Sequence, residues 1–228
     1  MKPNISLNTI TKKALKILKN PILFYREMPK SGGYLEPVLF VIVMAVIVGL
    51  LMTLFSIFGL GMMGGMVVGF STILFTTFMS IISSFIGAAI LFVIWKLMGS
   101  NESYETAYRC IAYASVIYPL VAILGPIPYI SSVISVLFGT YLMIIASVEV
   151  HHIKQKTAYI VFCILGIIGL LANISNEMAA RRMATQAEDF AEEFKGFGDK
   201  MSDPKDMTPE DAGRALGEFF KGLEEGSK

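Results

Sequence analysis

Apolar and polar positions lie in long blocks along this chain. From Pro37 to Trp95, 59 consecutive positions carry no charged side chain. A second charge-free run covers 39 positions, 110–148, and a third runs from Thr157 to Asn176. A helix needs about 20 apolar residues to cross a hydrocarbon layer about 30 Å thick. The first run is therefore too long for one crossing, and Gly59-Leu60-Gly61-Met62-Met63-Gly64-Gly65 divides it. This predicts spans near 37–58 and 70–96, the latter closing on Trp95-Lys96, a pairing suited to a membrane interface. The stretch from Met66 onward would measure about 45 Å as one helix, so span two must tilt, protrude or begin with an interfacial piece. Gly125, Pro126 and Pro128 split the second run into spans near 105–125 and 128–149, and the last run makes a fifth near 157–176. Backbone polar groups in lipid must be satisfied within a segment, and no alternating strand pattern is present. The fold expected is all-α: an integral membrane bundle of five transmembrane helices with amphipathic helical tails.

Charge marks the boundaries. Residues 37–176 hold seven charged side chains in 140 positions, while the other 88 residues hold 30. Overall, 16% of residues are charged against about 25% in a soluble domain. This excludes an ordinary soluble domain, a disordered chain and a nucleic-acid binder. Three regions result: a basic N-terminal tail, 1–36; a membrane domain, 37–176; and an acidic tail, 177–228. The N-tail carries seven Lys and Arg, and the loops before spans three and five carry Lys96, with Arg109 just inside its span, and Lys154 and Lys156. The alternate loops, near 59–65 and 125–127, carry none. By the positive-inside rule the protein sits in the cell membrane with the N-terminus cytoplasmic and the C-terminus extracytoplasmic. Arg181 and Arg182 oppose this, but the opposite count is 11. The first 36 residues contain no pattern of a cleavable signal peptide. Cys110 and Cys163 both lie in apolar stretches and form no disulfide framework.

The tails predict amphipathic helices. Leu7, Ile10, Ala14, Ile17 and Leu18 recur at helical spacing, with Lys12, Lys13, Lys16 and Lys19 on other faces. Such a helix rests in an interface, each Lys adding roughly 1 kcal/mol of attraction to anionic lipid, or else docks on a partner. Pro21 ends it, and Ser31-Gly32-Gly33-Tyr34 turns the chain into span one. In the C-terminal tail, Met183, Ala187, Phe190, Phe194 and Phe197 step as a heptad seam. Thr208-Pro209-Glu210-Asp211 starts a second helix striped by Ala212, Leu216, Phe219 and Leu223. These two helices pair with each other, lie on the membrane, or support homo-oligomer or partner association.

Chemistry is sparse. Gly65, Gly69, Thr72, Thr76, Ser80, Ser83 and Gly87 share one face of span two. Small residues let membrane helices approach closely, so this seam is a packing groove or a polar path for a solute or headgroup. Arg109 is the most embedded charge, with Glu105 one turn earlier in the favourable order for a helical pair. With Glu149 and His151 on the same side, they form a candidate headgroup or partner site. His151 and His152 are adjacent, point to different sides of a helix and make a poor metal pair. No H-E-x-x-H, G-x-S-x-G or phosphate-cradling Gly-Lys-Ser/Thr motif is present, and no Asp precedes Asp189. No catalytic residue, cofactor or metal is implied.

The stretch Ser103-Tyr104-Glu105-Thr106-Ala107-Tyr108-Arg109-Cys110-Ile111-Ala112-Tyr113-Ala114-Ser115 is distinctive. Ile127-Pro128, Phe138-Gly139-Thr140-Tyr141 and His151 with Lys156 and Ala158 follow it. Pro21-Ile22-Leu23-Phe24-Tyr25-Arg26-Glu27-Met28 with Gly33-Tyr34 and Pro37 precedes it. In order and spacing these resemble the prokaryotic branch of the Ypt-interacting protein (Yip) domain family, over about residues 20–175. The resemblance implies a five-helix membrane domain with a cytosolic N-terminus. Eukaryotic members associate with Rab-type GTPases and with one another. Here only 36 residues stand before the first span, without the Asp-Leu/Gly-Pro motif of that region, which speaks against GTPase recruitment. The function expected is a non-enzymatic scaffold or adaptor organising membrane or a membrane complex. The alternative is a transporter, channel or lipid-handling protein using the span-two seam.

Overall fold

The computed structural model of the protein describes residues 6–58 and 70–201, with Gly213 and Gly217. Eight helices occupy them: α1 Leu7–Lys19, α2 Pro21–Glu27, α3 Leu35–Ile57, α4 Phe70–Leu97, α5 Tyr104–Ala114, α6 Ile117–Ile123, α7 Ile130–Glu149 and α8 Gln155–Met201. No strand occurs among the described residues. Five stretches are long and apolar enough to cross a membrane: Leu35–Ile57, Ser71–Leu97, Tyr104–Ile123, Ile130–Glu149 and one within Gln155–Glu192. The chain is thus a multi-pass integral membrane protein, all-α with five candidate crossings, as its hydropathy pattern predicts.

Local chemistry places the helix ends. Ser6 caps α1 by accepting from the Thr9 N–H. Asn20 closes α1 and caps α2, its side chain accepting from the Leu23 N–H at 3.1 Å, with Pro21 at the first helical position. Ser103 caps α5 through the Thr106 N–H at 3.2 Å. The third crossing is broken at Ser115-Val116 into α5 and α6. Pro119 explains the break, since it has no N–H to offer the Ser115 carbonyl and its ring crowds that carbonyl. The Ser115 carbonyl instead takes the Tyr118 N–H at 3.0 Å. α7 starts after Gly125-Pro126-Ile127-Pro128, with Tyr129 in the left-handed region at φ 62°.

The crossings pack as neighbours. α3 and α4 approach closely at Gly49, where a Cβ would lie 3.1 Å from the Ile73 Cα and 3.2 Å from the Thr76 hydroxyl. α7 and α8 do the same at Gly166, where a Cβ would meet the Thr140 hydroxyl at 2.6 Å. The third crossing is the most enclosed, with 56% of its apolar window buried against 11% for the second and fifth. Its buried residues include Ala107, Tyr108, Arg109, Cys110, Ala112 and Tyr113. On α4, Phe75, Phe78, Ile86 and Ile90 stand exposed, the face left to lipid.

Two expectations change in detail. Trp95 is fully buried, its indole N–H donating to Ser147 Oγ at 2.7 Å. Its polar end finds a hydroxyl within the bundle, so it needs no interface. The fifth apolar run and the start of the acidic tail form one unbroken helix, α8. From Gln155 to Glu177 this helix rises about 33 Å, enough to cross, and it continues 24 residues further. The second tail helix expected from Thr208 lies outside the described residues.

Candidate functional site

The candidate charged residues gather at the end of the bundle where α1 and α2 lie. That end brings together the loop 28–34, the α4–α5 loop and the α7–α8 loop. Glu105 and Arg109 form an ion pair at 3.3 Å, and both also hold the backbone of Gly33. The Gly33 N–H donates to Glu105 Oε1 at 2.7 Å, and Arg109 Nη2 donates to the Gly33 carbonyl at 2.8 Å. The Arg109 side chain is 1% exposed, and its buried Nη1 has no hydrogen-bond partner among the described residues. Gly32 and Gly33 have φ of 128° and 85°, and a Cβ on Gly32 would stand 3.1 Å from Arg109 Nη2. Only glycine meets both the backbone conformation and the approach.

The remaining charges bind the same N-terminal segment. Arg26 donates to both carboxylate oxygens of Glu149, at 2.8 and 3.2 Å. Lys30 Nζ meets Glu102 at 2.6 Å, the Val150 carbonyl at 3.1 Å and His152 Nε2 at 3.1 Å. The Thr106 hydroxyl donates to the Lys30 carbonyl at 3.0 Å. Lys13 pairs with Glu36 and lies 3.5 Å from the Tyr113 hydroxyl. Burial, and then the nearby Arg109 guanidinium, pull the Lys13 ammonium below its ordinary pKa. The Tyr25 hydroxyl donates to the Cys110 carbonyl at 3.1 Å. Ile10 and Ile17 of α1 are buried. Ile10, Ala14, Ile17 and Leu18 of the α1 stripe are therefore spent on the protein, while its Leu7 stays exposed, as does Leu15.

His151 forms a separate buried group. Its ring stacks on Trp95 at 3.9 Å between centroids, and Nδ1 lies 2.8 Å from Ser100 Oγ. Nε2 lies 3.9 Å from Cys110 Sγ. Burial depresses the imidazole to a pKa of about 4, partly offset by Glu102, so His151 is neutral at pH 7. Among the described residues no three His, Cys, Asp or Glu side chains are placed to hold a metal.

The seam of the second span divides. Gly65 and Gly69 lie outside the described residues. Thr72 and Thr76 are half-buried, and Thr76 is the residue that faces Gly49. Ser80 is half-buried and Ser83 exposed. Gly87 is also half-buried, with no atom within 4 Å of where its Cβ would be. The hydroxyls turn back on their own helix: Thr76 donates to the Thr72 carbonyl at 2.8 Å and Ser83 to the Met79 carbonyl at 2.6 Å.

Sequence reasoning passed over Arg26, Lys30, Glu102 and Ser100 as site members, because their partners are distant in the chain. It also missed a buried carboxylate at the opposite end. Glu177 accepts from the Tyr129 N–H at 2.8 Å and from the Ser132 hydroxyl at 2.5 Å. Arg181, one turn along α8, reaches the same carboxylate at 2.7 Å. The one signal available was position: Glu177 is the first charge after the last apolar run.

The sequence model of the Yip1 domain matches residues 15–175. No curated protein and no solved structure matches.

Proposed function

The chain belongs to the Yip1 domain family, and from that premise we propose that it is a non-enzymatic membrane scaffold or adaptor, which organises membrane or a membrane complex. The observation that carries this reading is how the charged side chains at the α1–α2 end are used. Arg26, Lys30, Glu102, Glu105, Arg109 and Glu149 all fasten the N-terminal segment to the bundle. A catalyst or a carrier needs polar groups aimed at a ligand. Here they make a fixed platform whose outward side carries Leu7, Leu15, Ile22 and Leu23. In the cell membrane, with the N-terminus cytoplasmic as the lysine distribution favours, the platform would face anionic lipid.

The span-two seam supports packing more than conduction. The hydroxyl protons of Thr76 and Ser83 are engaged by their own helix, and Thr76 stands against Gly49 of α3. Cross-linking in native membrane followed by purification tests the function. A scaffold should come out with a membrane-protein partner or as a homo-oligomer. Recovery as a lone monomer, together with solute or lipid flux in liposomes that Thr76→Ala with Ser80→Ala abolishes, would reject the scaffold in favour of a conduit.

A further inference from the structure

A cleft of about 310 Å³ opens between α1 and α2, and neither the platform nor the family resemblance gives it a role. Thr9, Lys12, Lys13 and Lys16 form one wall, and Phe24, Met28 and Pro29 the other, with Glu27 and Tyr113 completing it. Its two walls differ in chemistry: one carries three lysines, the other apolar side chains. Glu27 is the single acid of the lining, and Lys16 neutralises it at 2.5 Å. Lys13 is drawn inward to Glu36. Lys12 is exposed and, among the described residues, has no ion pair.

Lys13 and Lys16 are thus each spent on a carboxylate, and Lys12 supplies the uncompensated positive charge of the cleft. A charge excess of this kind, held by a folded helical hairpin, attracts an anion with several acceptor oxygens.

We propose that the α1–α2 cleft binds a phosphate-bearing anion, the phosphate seated at Lys12 and drawing Lys16 from Glu27, and the uncharged remainder lying on Phe24, Met28 and Pro29. The mixed lining suits the phosphate and glycerol of an anionic phospholipid, and a soluble phosphate ester has the same chemistry. The proposal rests on the reading of α1 and α2 as the anionic-lipid side of the molecule. Its test uses purified protein alone and so stands apart from any partner search.

The full chain in uncharged detergent is titrated separately with phosphatidylglycerol, phosphatidylcholine and glycerol 3-phosphate. Bound lipid is counted by native mass spectrometry, and acylation of each lysine is followed by peptide mapping. Phosphatidylglycerol should bind in a one-to-one complex and slow acylation of Lys12 and Lys16, while phosphatidylcholine should not. Lys12→Gln with Lys16→Gln should weaken the binding about 30-fold. Lys19→Gln with Lys156→Gln, an equal loss of surface charge elsewhere, should leave it unchanged. Protection by glycerol 3-phosphate at similar concentration would assign a soluble ester as the occupant, and protection by the lipid alone a headgroup. Absence of protection by either, or equal weakening in both double variants, would overturn the site. All four lysines are exposed, so both variants keep the fold, which the continued burial of the Cys110 thiol verifies.

Discussion

At the scale of single residues, a long cationic side chain is used as a bracket. Arg109 spans from Glu105 to the Gly33 carbonyl while buried, and its removal would leave that carbonyl and part of Glu105 unsatisfied. Arg109→Gln should lower stability by about 2–3 kcal/mol. Arg109→Lys, which keeps the charge but loses the fork, should recover only part of this. Reaction of a maleimide dye with Cys110 during heating reports the loss, in a Cys163→Ser background that removes the exposed thiol. His151 sets a pH dependence. Its folded pKa of about 4 lies below the ordinary 6.5, so the unfolded chain takes up a proton first as pH falls. The stability it contributes is complete above about pH 6.5 and lost progressively down to about pH 4, roughly 3 kcal/mol in all. Thermal unfolding at a series of pH values should show this decline, and His151→Gln should flatten it. An unchanged slope in that variant would assign the dependence to other groups.

At the scale of elements, most boundaries were written locally. Ser6, Asn20 with Pro21, and Ser103 each stop or start a helix by chemistry that acts over three or four residues. The kink at Ser115 was equally local, since Pro119 alone accounts for it. What the chain did not declare was which face of each helix meets which neighbour. Of the small-residue seam of α4, Thr76 stands against Gly49 of α3, whereas Gly87 has no atom of the described residues within 4 Å of its Cβ position. Nor did the spacing of Gly166 single it out, although a Cβ there would meet the Thr140 hydroxyl of α7 at 2.6 Å. Gly166→Leu should push Thr140 aside and destabilise the protein by about 1–3 kcal/mol. Gly87→Leu should change stability by less than about 0.5 kcal/mol, since nothing there opposes a side chain. Comparing the two melting temperatures in the same detergent decides it, and equal losses would refute the asymmetry.

For the whole molecule, the count of crossings has a consequence for sidedness. Arg26 meets Glu149 at one end, and Tyr129 meets Glu177 at the other, so α8 leaves the bundle opposite α1 and α2. Crossing by all five candidate stretches would put the tails on opposite sides of the membrane, the N-terminus inside as the lysine count favours. Ser227→Cys should therefore react with a membrane-impermeant thiol reagent on intact cells, and Asn8→Cys only after lysis; the reverse pattern would invert the orientation. The sequence by itself determined the class and the five candidate crossings. Transfer of apolar side chains into lipid is additive along a segment and needs no knowledge of neighbours. It also determined the basic N-terminal helix and the prominence of Glu105 and Arg109, because a charge beside an apolar run is visible without any fold. Only the tertiary structure decided what those charges touch. Arg109 and Gly33 are 76 positions apart, and Arg26 and Glu149 are 123. Such pairings follow from how helices pack through small residues and shape, and that information is spread over several segments at once.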